Sequence, residues 1–137
     1  MSTRCQLGFY KQDEKDLNKF QYALLYRHWD GYPESVIPDI LPFLRAFDKE
    51  RGLDDVSYAI ARLAQHLCNI HDEETKTNNL RHSNYLGHGI DNIFHLDTEF
   101  FYAIYPDRVE VWEVGGSWDK TEFEKWKLIE THFIKED

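Results

Sequence analysis

The strongest constraint on how this chain can fold lies between Asp55 and His71. There Val56, Ile60, Leu63, Leu67 and Ile70 recur at alternating spacings of four and three residues, the interval that lines up on one face of an α-helix. Such a stripe is stable only against another apolar surface, because packing rather than intrinsic propensity supplies most helical stability in a protein. Asp54 or Asp55 is placed to serve as N-cap. The spacing therefore predicts a helix over 55–71 and requires that the rest of the chain provide its cover.

That cover is read from the β-rich runs. Residues 5–10, 20–29, 93–105, 108–114 and 128–134 are dense in aromatic and β-branched side chains, as strands are. Pro106-Asp107 between the third and fourth is a hairpin signal. A second helix is predicted from about Ser35, with Glu34 or Asp39 as alternative caps, to Arg51. Ile37, Ile40, Leu41, Leu44 and Phe47 form its stripe and Gly52 its stop. Pro38 and Pro42 each lack a backbone donor, so this helix is expected to begin only at Pro38 or to kink at Pro42. Residues 72–92 read as a long polar connection, and Asp119 with Glu122 as a capping box for a short turn bearing Phe123 and Trp126. At 137 residues, 15% of them aromatic, the chain suits one domain whose packing leans on large rings. The expected class is α+β, an antiparallel sheet of four to five strands with two helices packed on one face.

Polar chemistry concentrates in Tyr26-Arg27-His28-Trp29-Asp30-Gly31-Tyr32-Pro33. If 20–29 is a strand, Tyr22, Leu24, Tyr26 and His28 share one face and Ala23, Leu25, Arg27 and Trp29 the other. As a binding site, Arg27 would grip an anion with its planar fork, Trp29 or Tyr32 would stack on a base, and His28 and Asp30 would orient the ligand. A second group, Arg81, His82, Asn84, Tyr85 and His88, lies in a stretch with Gly87 and Gly89 that could close over the first. The plainer alternative makes Trp29 and Tyr32 core rings, Arg27 the partner of a carboxylate, Asp30 the closure of a turn, and 81–88 an ordinary surface loop.

Several function classes are disfavoured. Twenty-five acidic against sixteen basic residues give a net charge of −9, unsuited to tracking a long phosphate backbone. The seven histidines show no His-x3-His or Cys-x2-Cys spacing, so no metal is expected. No phosphate-binding, dinucleotide or nucleophile-elbow motif occurs, so neither a cofactor nor a catalytic residue is assigned. Cys5 and Cys68 make no disulfide framework, and Cys68 is expected to pack inside its helix. The N-terminus lacks a secretion signal and no apolar run reaches the ~20 residues of a membrane span, which points to the cytoplasm. Self-association is left open.

Three landmarks, Ser2-Thr3-Arg4-Cys5, Leu25 to Pro33, and Phe100-Phe101-Tyr102-Ala103-Ile104-Tyr105, resemble a family of small, largely uncharacterised bacteriophage and bacterial proteins. In that family a His-Trp-Asp-Gly-Tyr-Pro stretch follows a strand and leads into a helix. The resemblance implies a phage or mobile-element setting, where small acidic proteins act against host defence. The expectation is a non-catalytic protein capturing a small anionic or nucleotide-like ligand, as a counter-defence sponge. The alternatives are an acidic inhibitor binding a host defence protein, and a small phosphodiesterase or hydrolase using His28 as general base.

Overall fold

The stripe of the second helix finds its cover on a six-stranded sheet. The computed structural model describes residues 3–74, 87–95, 97–114 and 123–135. Among the described residues run β1 (Cys5–Phe9), β2 (Leu24–Arg27), α1 (Pro33–Glu50), α2 (Val56–Glu74), β3 (His88–Asp91), β4 (Phe100–Ile104), β5 (Arg108–Glu113), a 3₁₀ turn (Phe123–Lys125) and β6 (Lys127–Phe133). The strand order is β3-β2-β1-β4-β5-β6. Every neighbouring pair is antiparallel except β1 with β4, which run parallel.

Alternation gives the sheet two different faces. Cys5, Leu7, Leu25, Tyr102, Ile104, Val109 and Val111 pack against α1 and α2 in one cluster, so both helices lie on one face. The opposite face is covered by connections. Leu24, Phe101, Ala103 and Val114 meet Leu17, Trp126, Phe20, Phe94 and Phe123. Phe94 is the hub of this layer, in edge or tilted contact with Phe20, Phe101, Phe123 and Trp126 at centroid distances of 5.4–5.7 Å. Rings brought by loops thus do on this face what helices do on the other.

The class is as expected, and the count of strands is higher by one. The added strand is β3, inside the stretch expected to be a connection; it pairs with β2 at the sheet edge. The 20–29 strand is shortened to Leu24–Arg27 because Tyr22 takes a positive φ of 68°, which ends regular pairing there. Likewise the strand expected over 93–105 is regular only from Phe100. The Pro106-Asp107 hairpin is present, with Tyr105 N–H donating to the Arg108 carbonyl at 2.8 Å.

Helix α1 begins earlier than the prolines suggested. Pro33 occupies its first turn, where a missing N–H costs nothing, and Tyr32 is the N-cap without a side-chain bond. The helix then continues through Pro38 and Pro42. Both sit on the solvent side in line with Glu34, so the carbonyls they leave without donors can tilt outward to water. Gly52, at φ +91°, ends the helix as expected. In α2, Val56, Ile60, Leu63 and Leu67 are buried, and Asp55 accepts the first helical bond from Ala59 N–H. Cys68, expected to pack, is exposed. The Asp119–Glu122 capping box lies outside the described residues.

Candidate functional site

The conspicuous stretch divides according to strand alternation. Arg27 points to the helix face and is 2% exposed. Its Nη1 donates to Asp39 Oδ2 of α1 at 2.9 Å, and its Nε to the Trp29 carbonyl at 3.1 Å. Asp39 is held from the other side, its carbonyl accepting from His66 Nε2 of α2 at 2.8 Å. This chain of bonds ties β2, α1 and α2 together. Beside it Cys5 is fully buried, and desolvation, eased only in part by Arg27, pushes its thiol up to about 12.

The turn after β2 is clamped from beneath. Gly31 N–H donates to the Thr3 carbonyl at 2.9 Å, and Tyr102 Oη donates to the Gly31 carbonyl at 2.6 Å. A Cβ at Gly31 would lie 2.9 Å from the Thr3 carbonyl oxygen and 3.0 Å from Cys5 Cβ, so only glycine fits this approach. Asp30 is exposed with φ 56°, a left-handed conformation that aspartate tolerates. Tyr32 is half-exposed, its ring 6.1 Å from Phe100.

His28 belongs to the other face, where it joins residues from four segments. Tyr26 Oη lies 2.8 Å from His28 Nδ1, and Arg4 Nε reaches the same nitrogen at 3.4 Å. Since Arg4 can only donate, Nδ1 accepts, and the neutral imidazole carries its proton on Nε2. Arg4 also faces Asp97 at 3.4 Å. The His95 ring packs on Tyr26 at 4.7 Å and donates from Nε2 to Asp91 Oδ2 at 2.8 Å. Trp29 closes the edge, its ring 5.7 Å from His28. Burial, and then the charge of Asp97, raises the Tyr26 phenol, so it stays protonated as the donor to His28.

The loop carrying His95 and Asp97 is fixed by a buried glutamine. Gln6 is fully enclosed in β1; its Nε2 donates to the Ile93 carbonyl at 3.0 Å and its Oε1 accepts from His95 N–H at 2.9 Å. The parallel pairing of β1 with β4 adds Glu99 N–H to the Arg4 carbonyl at 2.9 Å. Arg4, Tyr26, His28, Asp91, His95 and Asp97 are thereby brought to one end of the loop-covered face.

Of the residues singled out from sequence, His28 and Trp29 fall in this cluster and Asp30 follows them in the turn. Arg27 and His88 lie on the helix side, opposite one another in the β2–β3 register. His88 lines a small apolar cavity of about 170 Å³ with Leu25, Leu67 and Ile90. Arg81, His82, Asn84 and Tyr85 lie outside the described residues. Sequence reasoning missed Arg4, Asp91, His95 and Asp97. The four-residue spacing of Asp91 and His95 was a faint signal; nothing in the sequence announced the register that sets Arg4 beside them.

Among the described residues, no group of three His, Cys, Asp or Glu side chains could hold a metal ion, and no helix is long and apolar enough to cross a membrane. Compared with protein-family models, with curated proteins and with solved structures, the chain finds no match.

Proposed function

We propose that the protein is a non-catalytic binder of a small, nucleotide-like anion, held at the cluster of Arg4, Tyr26, His28, Trp29 and His95, and that it acts as a sponge in counter-defence. The observation that carries this reading is the convergence on His28: Tyr26 and Arg4 both donate to Nδ1, which turns the Nε2–H away from them as a fixed donor. Arg4, which also hydrogen-bonds the Tyr26 phenol, is one-third exposed, and the exposed edge of its fork could meet an acceptor such as phosphate. Tyr26, His95 and Trp29 offer ring faces and edges for a base. Asp97 is paired with Arg4 and Asp91 accepts from His95 Nε2, so both carboxylates are tied to donors of the protein. In this reading Arg27 positions the turn instead of gripping the ligand.

Thermal-shift and calorimetric titration with AMP, cyclic AMP and cyclic di-AMP, alongside native mass spectrometry of protein purified from infected cells, tests it. Binding by at least one nucleotide, lost in Arg4→Ala and weakened in Tyr26→Phe, is expected. No stabilisation by any of them and no added small mass would overturn the reading.

One observation favours a second reading, a small hydrolase. Asp91 orients the His95 imidazole at 2.8 Å, as a carboxylate orients a general base, within ring contact of Tyr26. Product release from the same nucleotides with multiple turnovers, lost in His95→Gln, would select this reading over capture.

A further inference from the structure

We propose that the other end of the loop-covered face is a docking groove for an extended, basic polypeptide segment of a partner protein. The groove, about 560 Å³, lies between the β1–β2 connection, the β4–β5 hairpin and the start of β6. Four carboxylates line it, Asp13, Glu14, Glu110 and Glu124, against two cations, Lys15 and Arg108. Arg108 brings no spare charge, because Asp107 at 2.8 Å and Glu110 at 3.0 Å already hold its guanidinium. The excess is therefore acidic, as is the chain as a whole at −9.

Arg108 also shows which side chain such a surface suits. Its guanidinium sits 4.0 Å over the Tyr105 ring while its edge meets carboxylates. Beyond it, Glu14, Glu124, Trp112 and Phe123 also line the groove, so carboxylates and rings are both present along it. An incoming arginine or lysine would meet aromatic faces and acids together.

The adjoining strand explains why the partner segment would be extended. β6 ends the strand order, and among the described residues no strand pairs with its outer side. Leu128, which lines the groove, is 45% exposed, and Phe133 is 60% exposed. Both fall on the groove side, opposite Trp112 and Arg108 in the register. An edge strand with exposed apolar side chains beside a pocket is the geometry of strand addition, where alternate side chains of the ligand enter pockets. A bulge at Ile129, between the Val111 and Trp112 pairings, bends this edge, and Arg45 of α1 already holds the Phe133 carbonyl at 3.0 Å, so the stretch open to regular pairing lies between them.

The probe is a labelled ten-residue peptide alternating arginine and valine, with a glutamate-for-arginine peptide as control. Fluorescence anisotropy is expected to show binding of the basic peptide only, weakened at least tenfold by Asp13→Lys with Glu124→Lys, and separately by Phe133→Lys. Amide shifts should map to Glu130–Phe133 and the groove. Far-UV circular dichroism of both variants checks that they fold, and His28→Gln, at the other end of the face, should bind the peptide unchanged. Equal binding of the two peptides, unaltered affinity in the folded variants, or shifts elsewhere would overturn the proposal. So would a concentration-dependent dimer in sedimentation that occupies this edge with a second copy of the chain.

Discussion

Replacing Arg27 separates its two possible roles. Its guanidinium is almost wholly buried and joins Asp39 at 2.9 Å and the Trp29 carbonyl at 3.1 Å. Removing one partner of a buried ion pair costs about 3–5 kcal/mol, because the other charge is left uncompensated. Asp39 keeps 21% of its side-chain surface in water, which places this case at the low end. Loss of the donor to the Trp29 carbonyl adds about 1 kcal/mol. Arg27→Met retains much of the apolar stem and so adds no packing cost, and we expect a net loss of about 4 kcal/mol. With a urea dependence of about 2 kcal/mol per molar, the midpoint of denaturation, followed by tryptophan fluorescence, should fall by about 2 M. Asp39→Asn should cost less on the Arg27→Met background than alone, since the pair is already broken. A loss under about 1 kcal/mol, or strict additivity with Asp39→Asn, would refute the structural assignment. If nucleotide binding vanished while stability stayed at the wild-type value, Arg27 would be a ligand contact after all.

Gly31→Ala should lower stability by about 2 kcal/mol in the same assay, because the new Cβ meets backbone that cannot step aside, at 2.9 Å from the Thr3 carbonyl oxygen; an unchanged midpoint would mean the N-terminal segment yields. Tyr22→Gly should raise the thermal midpoint, gaining about 1 kcal/mol, since Tyr22 is 73% exposed and holds a φ of 68° that only glycine adopts without strain. At pH 8 a thiol reagent should label Cys68 and leave Cys5 until the protein unfolds; two fast thiols in the native state would contradict the burial of Cys5. Because the Cys5 thiol moves from 9.0 in the unfolded chain to about 12 when folded, its contribution is complete below pH 9. It is then lost by up to about 1.4 kcal/mol per pH unit as pH rises toward 12, a slope that Cys5→Ala should remove. Gln6→Leu leaves the Ile93 carbonyl and His95 N–H without their partner; it should cost about 2 kcal/mol and weaken nucleotide binding several-fold without touching the ligand, whereas unchanged affinity would show that the cluster does not depend on this anchor.

What the sequence revealed follows from the range of the interactions. The α2 stripe, the stop at Gly52 and the hairpin at Pro106-Asp107 depend on residues within a turn or two of each other, and each was readable. Pro38 and Pro42 misled because their effect depends on which side of the helix faces water, and that is fixed only by the sheet. β3 escaped notice because His88-Gly89-Ile90-Asp91 carries little β propensity and is held by its register with β2. Arg4 and Asp97 are 93 positions apart and meet through the parallel β1–β4 pairing, a long-range contact with no local signature.

The adjacency of Arg27 and His28 suggested one site, and the same adjacency keeps them apart. Neighbouring residues at the end of a strand face opposite ways, so an Arg-His pair there cannot grip one ligand unless the chain twists between them. Here Arg27 turns toward the helices and spends its donors on Asp39 and Trp29, which fixes the carbonyl of the next turn and the approach to Gly31. That anchoring holds β2 in register, and the register is what presents Tyr26 and His28 to Arg4 and His95 on the far face. The density of polar groups in these eight residues thus serves two faces at once. Loosening the buried half should disorder the exposed half, so Arg27→Met is expected to weaken nucleotide binding only in proportion to the population of locally opened turn. Arg4→Ala should abolish it with stability nearly unchanged.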